Sequence, residues 1–307
     1  MRFEVKILGS NSAIPTNDRH PSSQLLSYHN TSYLIDCGEG TQSQMSIYKV
    51  KRSKIKQIFI SHLHGDHVFG LPGLLTSFSL QGRVDDLRVF GPVGIKEYIE
   101  TIIRVSESHL SYTLHINEIV PDQHKKIFED QHIIVYSFPL NHRIATSGYR
   151  FEEKRSQINI DPKAIEQNNL SGQQIKQLKE GGIILDYNGS PLSISDISLP
   201  PKSRRSYTYC SDTVYDETIV ESVKDSSYLY HEATYLHDLQ AQAKERMHST
   251  AKQAGQIASM SGVDHLIIGH YSSRYKDLQP LLLEAQSIFP KTSLAIEGKT
   301  FEIKHDN

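Results

Sequence analysis

The chain has 307 residues, of which 37% are hydrophobic, enough for a sizeable core and too many for an intrinsically disordered protein. Its formal net charge of -2 gives no global attraction to nucleic acid, so any RNA contact requires a local basic surface. No apolar segment approaches the roughly 20 residues that span a bilayer, and we expect neither a signal peptide nor a membrane partner. Only Cys37 and Cys210 are present, which argues against a disulfide framework and favours a reducing, cytoplasmic location.

The first predicted strands precede the most informative motif. Residues 3–8 alternate between apolar and charged side chains, and residues 32–36 form a second apolar segment that ends at Asp36. Two glycines then allow a tight turn, after which Thr41 is predicted to cap a helix over about residues 41–48. We predict that Asp36 accepts the outer N–H of a ligand histidine and fixes its tautomer. A solvated carboxylate in a turn is the alternative.

One segment, Ser-His-Leu-His-Gly-Asp-His at residues 61–67, places four metal-ligand side chains directly after a short apolar strand. His62 and His64 are two positions apart, so an extended chain projects both to one side. The glycine that follows allows the backbone to turn, which aims Asp66 and His67 elsewhere. Imidazoles and a carboxylate are ligands for Zn²⁺. Groups that point in two directions predict two ions rather than one.

The chain between residues 68 and 151 alternates between helical and extended patterns. A Pro-Leu-Asn-His-Arg segment follows the last of these strands and places His142 at a strand end. Position alone makes His142 a weak candidate, because a single histidine at a strand end is usually not a ligand. We predict helices over residues 68–80 and 95–103, and strands over 87–90, 114–120 and 132–138.

The segment from about residue 152 to residue 205 is more polar than its surroundings and predicts an inserted arm rather than a second domain. Asp161 and Pro162 are predicted to begin a helix, and two glycines and the Pro200-Pro201 pair mark its later boundaries. Two short helices are expected, over 163–168 and 173–179. The basic residues of the arm are nearly balanced by acidic ones, and they are Lys154, Arg155, Lys163, Lys176, Lys179, Lys202, Arg204 and Arg205.

The remaining chain predicts strands over 206–210, 227–231, 264–270 and 292–296, and helices over 251–260 and 278–289. Many strands of the chain end at a polar residue, and open α/β sheets collect ligands at such ends. We therefore expect six of these residues to converge, namely Asp36, His62, His142, Asp212, His231 and His270. Two mostly β halves with outer helices predict an α/β fold of the αββα sandwich type.

The motif at residues 61–67 resembles the signature of the metallo-β-lactamase superfamily. With the Phe-Gly-Leu-Pro-Gly-Leu-Leu that follows it, the sequence resembles the ribonuclease Z family of tRNA 3′-processing endonucleases. Further elements support this resemblance: Leu-Ile-Asp-Cys-Gly-Glu-Gly, Pro-Leu-x-His, Gly-Tyr-Arg-Phe, His-Glu-Ala-Thr, Met-His-Ser-Thr and Gly-His-Tyr-Ser-Ser-Arg-Tyr. The resemblance covers nearly the whole chain, and it too implies an αββα sandwich.

The resemblance implies two Zn²⁺ ions per subunit that share an activated water for in-line attack on phosphorus. The implied ligands are His62, His64 and His142 for one ion, Asp66, His67 and His270 for the other, and Asp212 between them. Asp66 would also orient the water or take its proton. His248 is the candidate proton donor to the leaving oxygen, and Glu232 would hold its tautomer. The products would be a 3′-hydroxyl on the tRNA and a 5′-phosphate on the trailer.

Several alternatives remain open at this stage. A dinuclear site of this kind also suits hydrolysis of small phosphodiesters, sulfate esters or lactones, and a non-catalytic RNA-binding protein is a further alternative. The resemblance implies a homodimer in which one subunit's arm holds precursor tRNA cut by the other. We also consider phosphate binding by Arg274 and an RNA path along residues 69–75. For these, a surface salt bridge and a packed helix face are equally acceptable interpretations.

Overall fold

A computed structural model of the chain describes residues 2–16, 18–154, 160–186, 188–199 and 204–305. The chain divides into two compact units: Met1–Glu152 with Arg205–Lys304, here the core unit, and Glu153–Arg204 with His305–Asn307. We call residues 153–204 the arm. The predicted arm features at Arg155, Pro200, Pro201 and Lys202 lie outside the described residues.

The elements of the described chain follow the predicted alternation of strands and helices. The strands are β1 (Phe3–Gly9), β2 (Ser23–Tyr28), β3 (Thr31–Ile35), β4 (Ile55–Phe59), β5 (Leu87–Pro92), β6 (Leu114–Ile119), β7 (Lys125–Glu129), β8 (Ile133–Leu140), β9 (Thr146–Glu153), β10 (Ile184–Leu185), β11 (Pro191–Leu192), β12 (Ser206–Cys210), β13 (Tyr228–Glu232), β14 (His265–Gly269), β15 (Thr292–Leu294) and β16 (Thr300–Glu302). The α-helices are α1 (Thr41–Ile47), α2 (Gly65–Val68), α3 (Leu71–Leu80), α4 (Ile95–Val105), α5 (Pro162–Gln167), α6 (Gly172–Lys179), α7 (Ile194–Ile197), α8 (Val220–Val223), α9 (Gln240–Glu245), α10 (Ala251–Ser261) and α11 (Gln279–Gln286). Short 3₁₀ helices cover Arg52–Lys54, Glu217–Ile219 and His237–Leu239.

Two mixed sheets form the centre of the core unit. The first has the order β16-β1-β2-β3-β4-β5-β6, and the second has the order β15-β14-β13-β12-β9-β8-β7. Strands β3 to β6 are parallel to one another, as are β12 to β15. One apolar cluster joins side chains of both sheets, including Phe59, Tyr149 and Tyr209. Separate clusters cover the outer faces with α1, α3 and α4 on the first sheet and α8, α10 and α11 on the second. This is the predicted αββα sandwich.

Local contacts explain where the predicted elements are wrong. The helix expected over residues 68–80 begins instead at Leu71, and Val68 ends the preceding α2, because the Gly70 N–H donates to Cys37 O at 2.9 Å in the loop after β3. A Cβ at Gly70 would lie 2.2 Å from the carbonyl oxygen of Gly38. Thr41 does not cap α1: Gly40 is the N-cap, with a φ of 81°, and the Thr41 hydroxyl donates to Gly38 O at 2.7 Å. Strands β2, β7, β9, β10, β11 and β16 were not predicted.

The arm contains its own small apolar core and its own helix caps. Its buried side chains come from α6, α7, the β10–β11 hairpin and the segments on either side of α5, and they are Ile160, Leu170, Leu178, Ile184, Leu192 and Ile197. Asp161 caps α5 as predicted, since its carboxylate accepts from the backbone N–H of Lys163. Ser171 and Gln174 form a capping box at the start of α6. Within the core unit, Glu152 on β9 is the cross-strand partner of Ser206 on β12, so the arm joins two neighbouring strands.

Candidate metal centre

The candidate metal centre lies at the carboxyl ends of the parallel strands. Asp36 follows β3, His62 follows β4, Asp212 follows β12 and His270 follows β14. The chain turns sharply at two of these positions, because Asp36 and His270 adopt left-handed backbone conformations with φ of 55° and 59°. Each strand end therefore directs a polar side chain into the space where the two sheets meet.

The first group of ligand-type atoms comprises His62, His64, His142 and Asp212. His62 Nε2 lies 3.0 Å from His64 Nδ1, and His142 Nε2 lies 3.2 Å from the same atom. Asp212 Oδ2 lies 3.6 Å from His62 Nε2 and 3.8 Å from His142 Nε2. Three imidazoles and one carboxylate oxygen thus converge on one point, which is a donor set suited to Zn²⁺.

The second group comprises Asp66, His67, His270 and again Asp212. His270 Nε2 lies 3.1 Å from Asp212 Oδ1 and 3.4 Å from Asp66 Oδ2. His67 Nε2 lies 3.3 Å from Asp212 Oδ1 and 3.5 Å from Asp66 Oδ2. The two oxygens of Asp212 therefore face different groups, which is the arrangement of a carboxylate that bridges two cations.

The ring nitrogens of these histidines show that the residues fit a cation. Four of the five rings hold their outer nitrogen on a protein oxygen, and the pairs are His62 with Ser61 Oγ, His67 with Asp36 Oδ2, His142 with Met247 O, and His270 with Thr234 Oγ1. With the proton on the outer nitrogen, the inner nitrogen carries a lone pair. The Nε2 lone pairs of His67 and His270 face each other at 3.3 Å, a repulsive arrangement that a metal ion would convert into coordination. Nε2 of His62 and Nε2 of His142 lie 3.0 and 3.2 Å from His64 Nδ1.

The electrostatics of the two groups agree with this fit. Burial lowers the pKa of His62, and the neighbouring imidazole of His67 lowers it further, so His62 is a neutral ligand. Burial opposes the charged form of Asp212, but the surrounding histidines hold its pKa well below the ordinary value. Burial also opposes charge on His67, yet Asp212 and Asp66 raise its pKa well above the ordinary value. Positive charge, carried by a proton or by a metal ion, is stabilised at this position.

Asp36 lies behind the second group, as predicted, and accepts from His67 Nδ1 at 2.8 Å. Its carboxylate is buried and also accepts from Ser61 N at 2.7 Å and from the Tyr209 hydroxyl at 2.7 Å. Because Tyr209 belongs to β12, this carboxylate connects the two sheets. The contacts fix Asp36 so that it holds the His67 ring in one tautomer.

A histidine–carboxylate pair lies beside the two groups. His248 Nδ1 is 2.8 Å from Glu232 Oε1, and Glu232 is fully buried at the end of β13. Burial alone would lower the pKa of His248, but Glu232 and Asp212 raise it to about 9. His248 is therefore protonated at neutral pH. The expectation that His231 joins the centre is wrong, because its Nδ1 donates to Glu232 O at 2.7 Å and the ring belongs to neither group.

A cleft of about 570 Å³ opens over the two groups and over His248. Its wall includes Phe69, which is 65% exposed, whereas Leu71, Leu74 and Leu75 pack in the core under the first sheet. Only the first residue of the suggested 69–75 path thus reaches this surface.

Arg274 lies over the Tyr235 ring and donates to Gln242 and Ser272.

Sequence reasoning missed three groups that contact the centre. The backbone N–H of Ala13 donates to Asp66 Oδ2 at 2.7 Å, and Ala13 has a left-handed φ of 61°. A backbone N–H is common to all residues except proline, so the identity of Ala13 does not predict this contact. The Gly-Ser-Asn-Ser segment before Ala13 does indicate a turn. The hydroxyls of Ser61 and Thr234 contact ligand histidines. Both residues adjoin recognisable motif positions, and this adjacency is the sequence signal that could have found them.

Comparison with known proteins identifies the family. The chain is 42% identical over 301 residues to a ribonuclease Z of Porphyromonas gingivalis, covering 98% of this chain and 99% of that protein. It is 44% identical over 304 residues to a ribonuclease Z of Cytophaga hutchinsonii, covering 99% and 97%. The chain belongs to the ribonuclease Z family. It is accordingly an endoribonuclease that hydrolyses phosphodiester bonds, and the two ligand groups make it a metal-dependent one.

Solved structures agree with this ribonuclease Z assignment. The crystal structure of the short form of human tRNase Z matches with a TM-score of 0.72 and 25% identity, covering 98% of this chain and 99% of that one. The metallo-β-lactamase fold protein YhfI of Bacillus subtilis matches with a TM-score of 0.70 at 17% identity, covering 98% and 100%, which shows the shared fold. A family model described as anti-Pycsar protein Apyc1 matches residues 3–99, the part that includes His62, His64, Asp66 and His67.

Among the described residues, every helix is too short or too polar to cross a bilayer.

Proposed function

We propose that this enzyme removes the 3′ trailer from precursor tRNA with two zinc ions bound per subunit. The observation that carries the proposal is the Asp212 carboxylate, whose two oxygens face two ligand groups in a chain that is similar over its full length to ribonuclease Z proteins. His62, His64 and His142 would hold the first ion with Asp212. Asp66, His67 and His270 would hold the second. When bound, zinc lowers the pKa of water to about 7 and thereby supplies a nucleophile at neutral pH.

Asp66 is the candidate for orienting the attacking water and accepting its proton. Its carboxylate lines the cleft, and Ala13 N–H fixes the Oδ2 atom at 2.7 Å. Burial favours the neutral carboxyl, but His67 and His270 hold the pKa of Asp66 well below the ordinary value. The carboxylate is thus ionised at neutral pH and available as an acceptor.

His248 would donate the proton that the leaving 3′ oxygen of the tRNA requires. Its Nδ1 is engaged by Glu232, and the raised pKa of about 9 keeps the ring protonated at neutral pH. The ring lines the same cleft as Asp66 and Asp212. Glu232 accepts from Thr213 N at 3.0 Å and from Thr234 N at 3.2 Å, so it is held in place to fix the His248 tautomer.

Water is the nucleophile in this proposal, so the RNA 2′-hydroxyl plays no part in the chemistry. Attack on the phosphorus breaks the bond to the 3′ oxygen of the tRNA, which leaves with the proton from His248. The tRNA therefore ends in a 3′-hydroxyl, and the trailer begins with a 5′-phosphate.

We further propose that the arm binds the body of the tRNA and that two subunits form a homodimer. The arm's helices are capped and its core is apolar, which supports a preformed binding element. Residues 153–204 contain seven Lys and Arg and six Asp and Glu residues, so shape rather than net charge would govern this contact. The buried, unpaired thiols of Cys37 and Cys210 support work in the cytoplasm, where thiols stay reduced.

Hydrolysis of small phosphodiesters is the second candidate function. The cleft is formed by residues of the core unit, and a volume of about 570 Å³ is large enough for a small ester. The Apyc1 family match stops at residue 99, before the arm begins. This candidate predicts that cleavage is independent of the arm.

The decisive experiment is cleavage of an authentic precursor tRNA, with both new ends mapped. We expect one cut at the trailer junction, a 3′-hydroxyl on the tRNA, a 5′-phosphate on the trailer and loss of activity with a zinc chelator. A 2′,3′-cyclic phosphate would contradict the water mechanism. Equal rates on precursor tRNA and on a chromogenic phosphodiester would instead favour the second candidate.

A further inference from the structure

A serine hydroxyl connects the first ligand group to a buried carboxylate. Ser61 Oγ lies 3.0 Å from His62 Nδ1 and 2.9 Å from Asp36 Oδ2. The serine has one hydroxyl hydrogen, and the carboxylate oxygen is its strongest acceptor. Ser61 therefore donates to Asp36 and accepts from His62. The proton on His62 is held at Nδ1, and Nε2 is left with a lone pair directed at the ligand group.

A threonine hydroxyl makes the same connection to the second ligand group. Thr234 Oγ1 lies 2.6 Å from Glu232 Oε2 and 2.9 Å from His270 Nδ1. By the same reasoning, Thr234 donates to the carboxylate and accepts from His270. Thr234 and Glu232 are both buried, so water does not compete for these contacts. Nε2 of His270 is again the nitrogen left with a lone pair.

The two arrangements match in a further respect. Each carboxylate binds a second histidine directly: Asp36 binds His67 at 2.8 Å, and Glu232 binds His248 at 2.8 Å. His67 and His248 therefore keep their own hydrogen bonds if a hydroxyl is removed. The nearest ligand-type histidine to Ser61 Oγ is His62 of the first group at 3.0 Å, with His67 farther away at 3.4 Å, and the nearest to Thr234 Oγ1 is His270 of the second group at 2.9 Å. Each hydroxyl can be removed without removing a ligand atom.

We propose that Ser61 and Thr234 are positioning residues, each of which sets the zinc affinity of one ligand group. Ser61 serves the first group through His62, and Thr234 serves the second through His270. Contacts that orient a ligand from behind typically change metal affinity about 10- to 100-fold when they are lost. This inference rests on the proposed occupancy of both groups by zinc. Two uncharged residues would thus control separately the zinc affinities of two ligand groups that share Asp212.

The test measures zinc binding to the full chain rather than turnover. Competition with a chromophoric chelator gives two dissociation constants, and zinc anomalous scattering from crystals at limiting zinc assigns each constant to a group. The variants are Ser61→Ala and Thr234→Val, with Thr234→Ser as the variant that keeps its hydroxyl. Ser137→Ala is the matched control, because among the described residues the buried Ser137 hydroxyl has no hydrogen-bond partner.

We expect Ser61→Ala to weaken the first site about 10- to 100-fold and the second less than about 3-fold. Thr234→Val should show the reverse, while Thr234→Ser and Ser137→Ala stay near wild type. Unchanged affinities, or equal losses at both sites in each variant, would overturn the positioning roles. Absence of zinc from both groups of the wild-type protein would overturn the metal assignment itself, so the two failures are distinguishable.

Discussion

The metal centre and the arm are built on opposite principles. In the centre, buried polar side chains contact one another at about hydrogen-bond distance, and Asp212 and Asp36 each serve several partners. In the arm, six buried apolar side chains form a small core, and the charges nearly cancel. The proposed chemistry of the centre thus depends on individual atoms, whereas the proposed binding of tRNA by the arm would depend on a surface. Single substitutions should be severe in the first region and mild in the second.

The largest effect is expected from Asp212→Ala. This change removes an oxygen from both ligand groups, so zinc binding should be lost at both. Activity on every substrate should fall by more than about 100-fold, the upper range for loss of a contact behind a ligand. Metal analysis and rates on precursor tRNA and on a chromogenic phosphodiester measure this. Asp216→Asn is the control, since Asp216 caps a short 3₁₀ helix nearby in sequence.

His248→Ala should be the next most severe change. A lost proton donor typically costs about 10²- to 10⁴-fold in turnover. Zinc content should stay near normal, because His248 is outside the seven ligand positions. The comparison of turnover with bound zinc is therefore the informative measurement. Loss of both metals in this variant would show that His248 holds the site together rather than supplying a proton.

Removal of the arm should affect one substrate only. Residues 153–204 can be replaced by Asn-Gly, which together with Arg205 forms a three-residue hairpin loop between Glu152 and Ser206, already partners on adjacent antiparallel strands. Cleavage of precursor tRNA should fall strongly, and hydrolysis of a chromogenic phosphodiester should be unchanged. Equal losses on both substrates would mean that the arm supports the core unit rather than the RNA.

A mixed dimer sharpens this test. An armless subunit has an intact cleft, and a His248→Ala subunit has an intact arm. If one subunit's arm holds tRNA for the other subunit's cleft, differently tagged mixed dimers should cleave precursor tRNA although each parent is defective. Inactive mixed dimers would show that each arm serves its own cleft.

The smallest effect is expected in the pH profile of Glu232→Gln. Burial lowers the pKa of His248, but Glu232, together with Asp212 and Asp66, raises it to about 9. A group with a raised pKa is protonated below that value, so donor activity is present at neutral pH and lost as the pH rises through it. Loss of the carboxylate charge should move this alkaline limb to lower pH by about 1–3 units. If the alkaline limb of the pH profile does not move, the group that titrates there is not His248.

The convergence of most strand-end residues was predictable because residue type and position coincide in them. His62, His64, Asp66 and His67 follow an apolar strand, and parallel strands bring their ends together. The same rule failed for His231, whose ring donates to the backbone instead of entering the centre. A strand end specifies a location, but the direction of the side chain depends on the turn that follows.

Other features depend on contacts that no local pattern records. The Ala13 N–H that binds Asp66 is a backbone group 53 positions away in the chain. The break between α2 and α3 comes from a close approach to the loop at Gly38, which is a tertiary constraint on an otherwise helical segment. Strands β2, β7 and β16 complete sheets through partners distant in sequence, so their pairing had to be observed.

The long sequence separation within the second ligand group has a consequence for biosynthesis. His67 and His270 face each other across 203 positions of chain. A ribosome must therefore translate the chain through His270 before this pair of imidazoles can meet. Nuclease activity is thereby withheld from the nascent polypeptide and begins only after folding has joined the two halves.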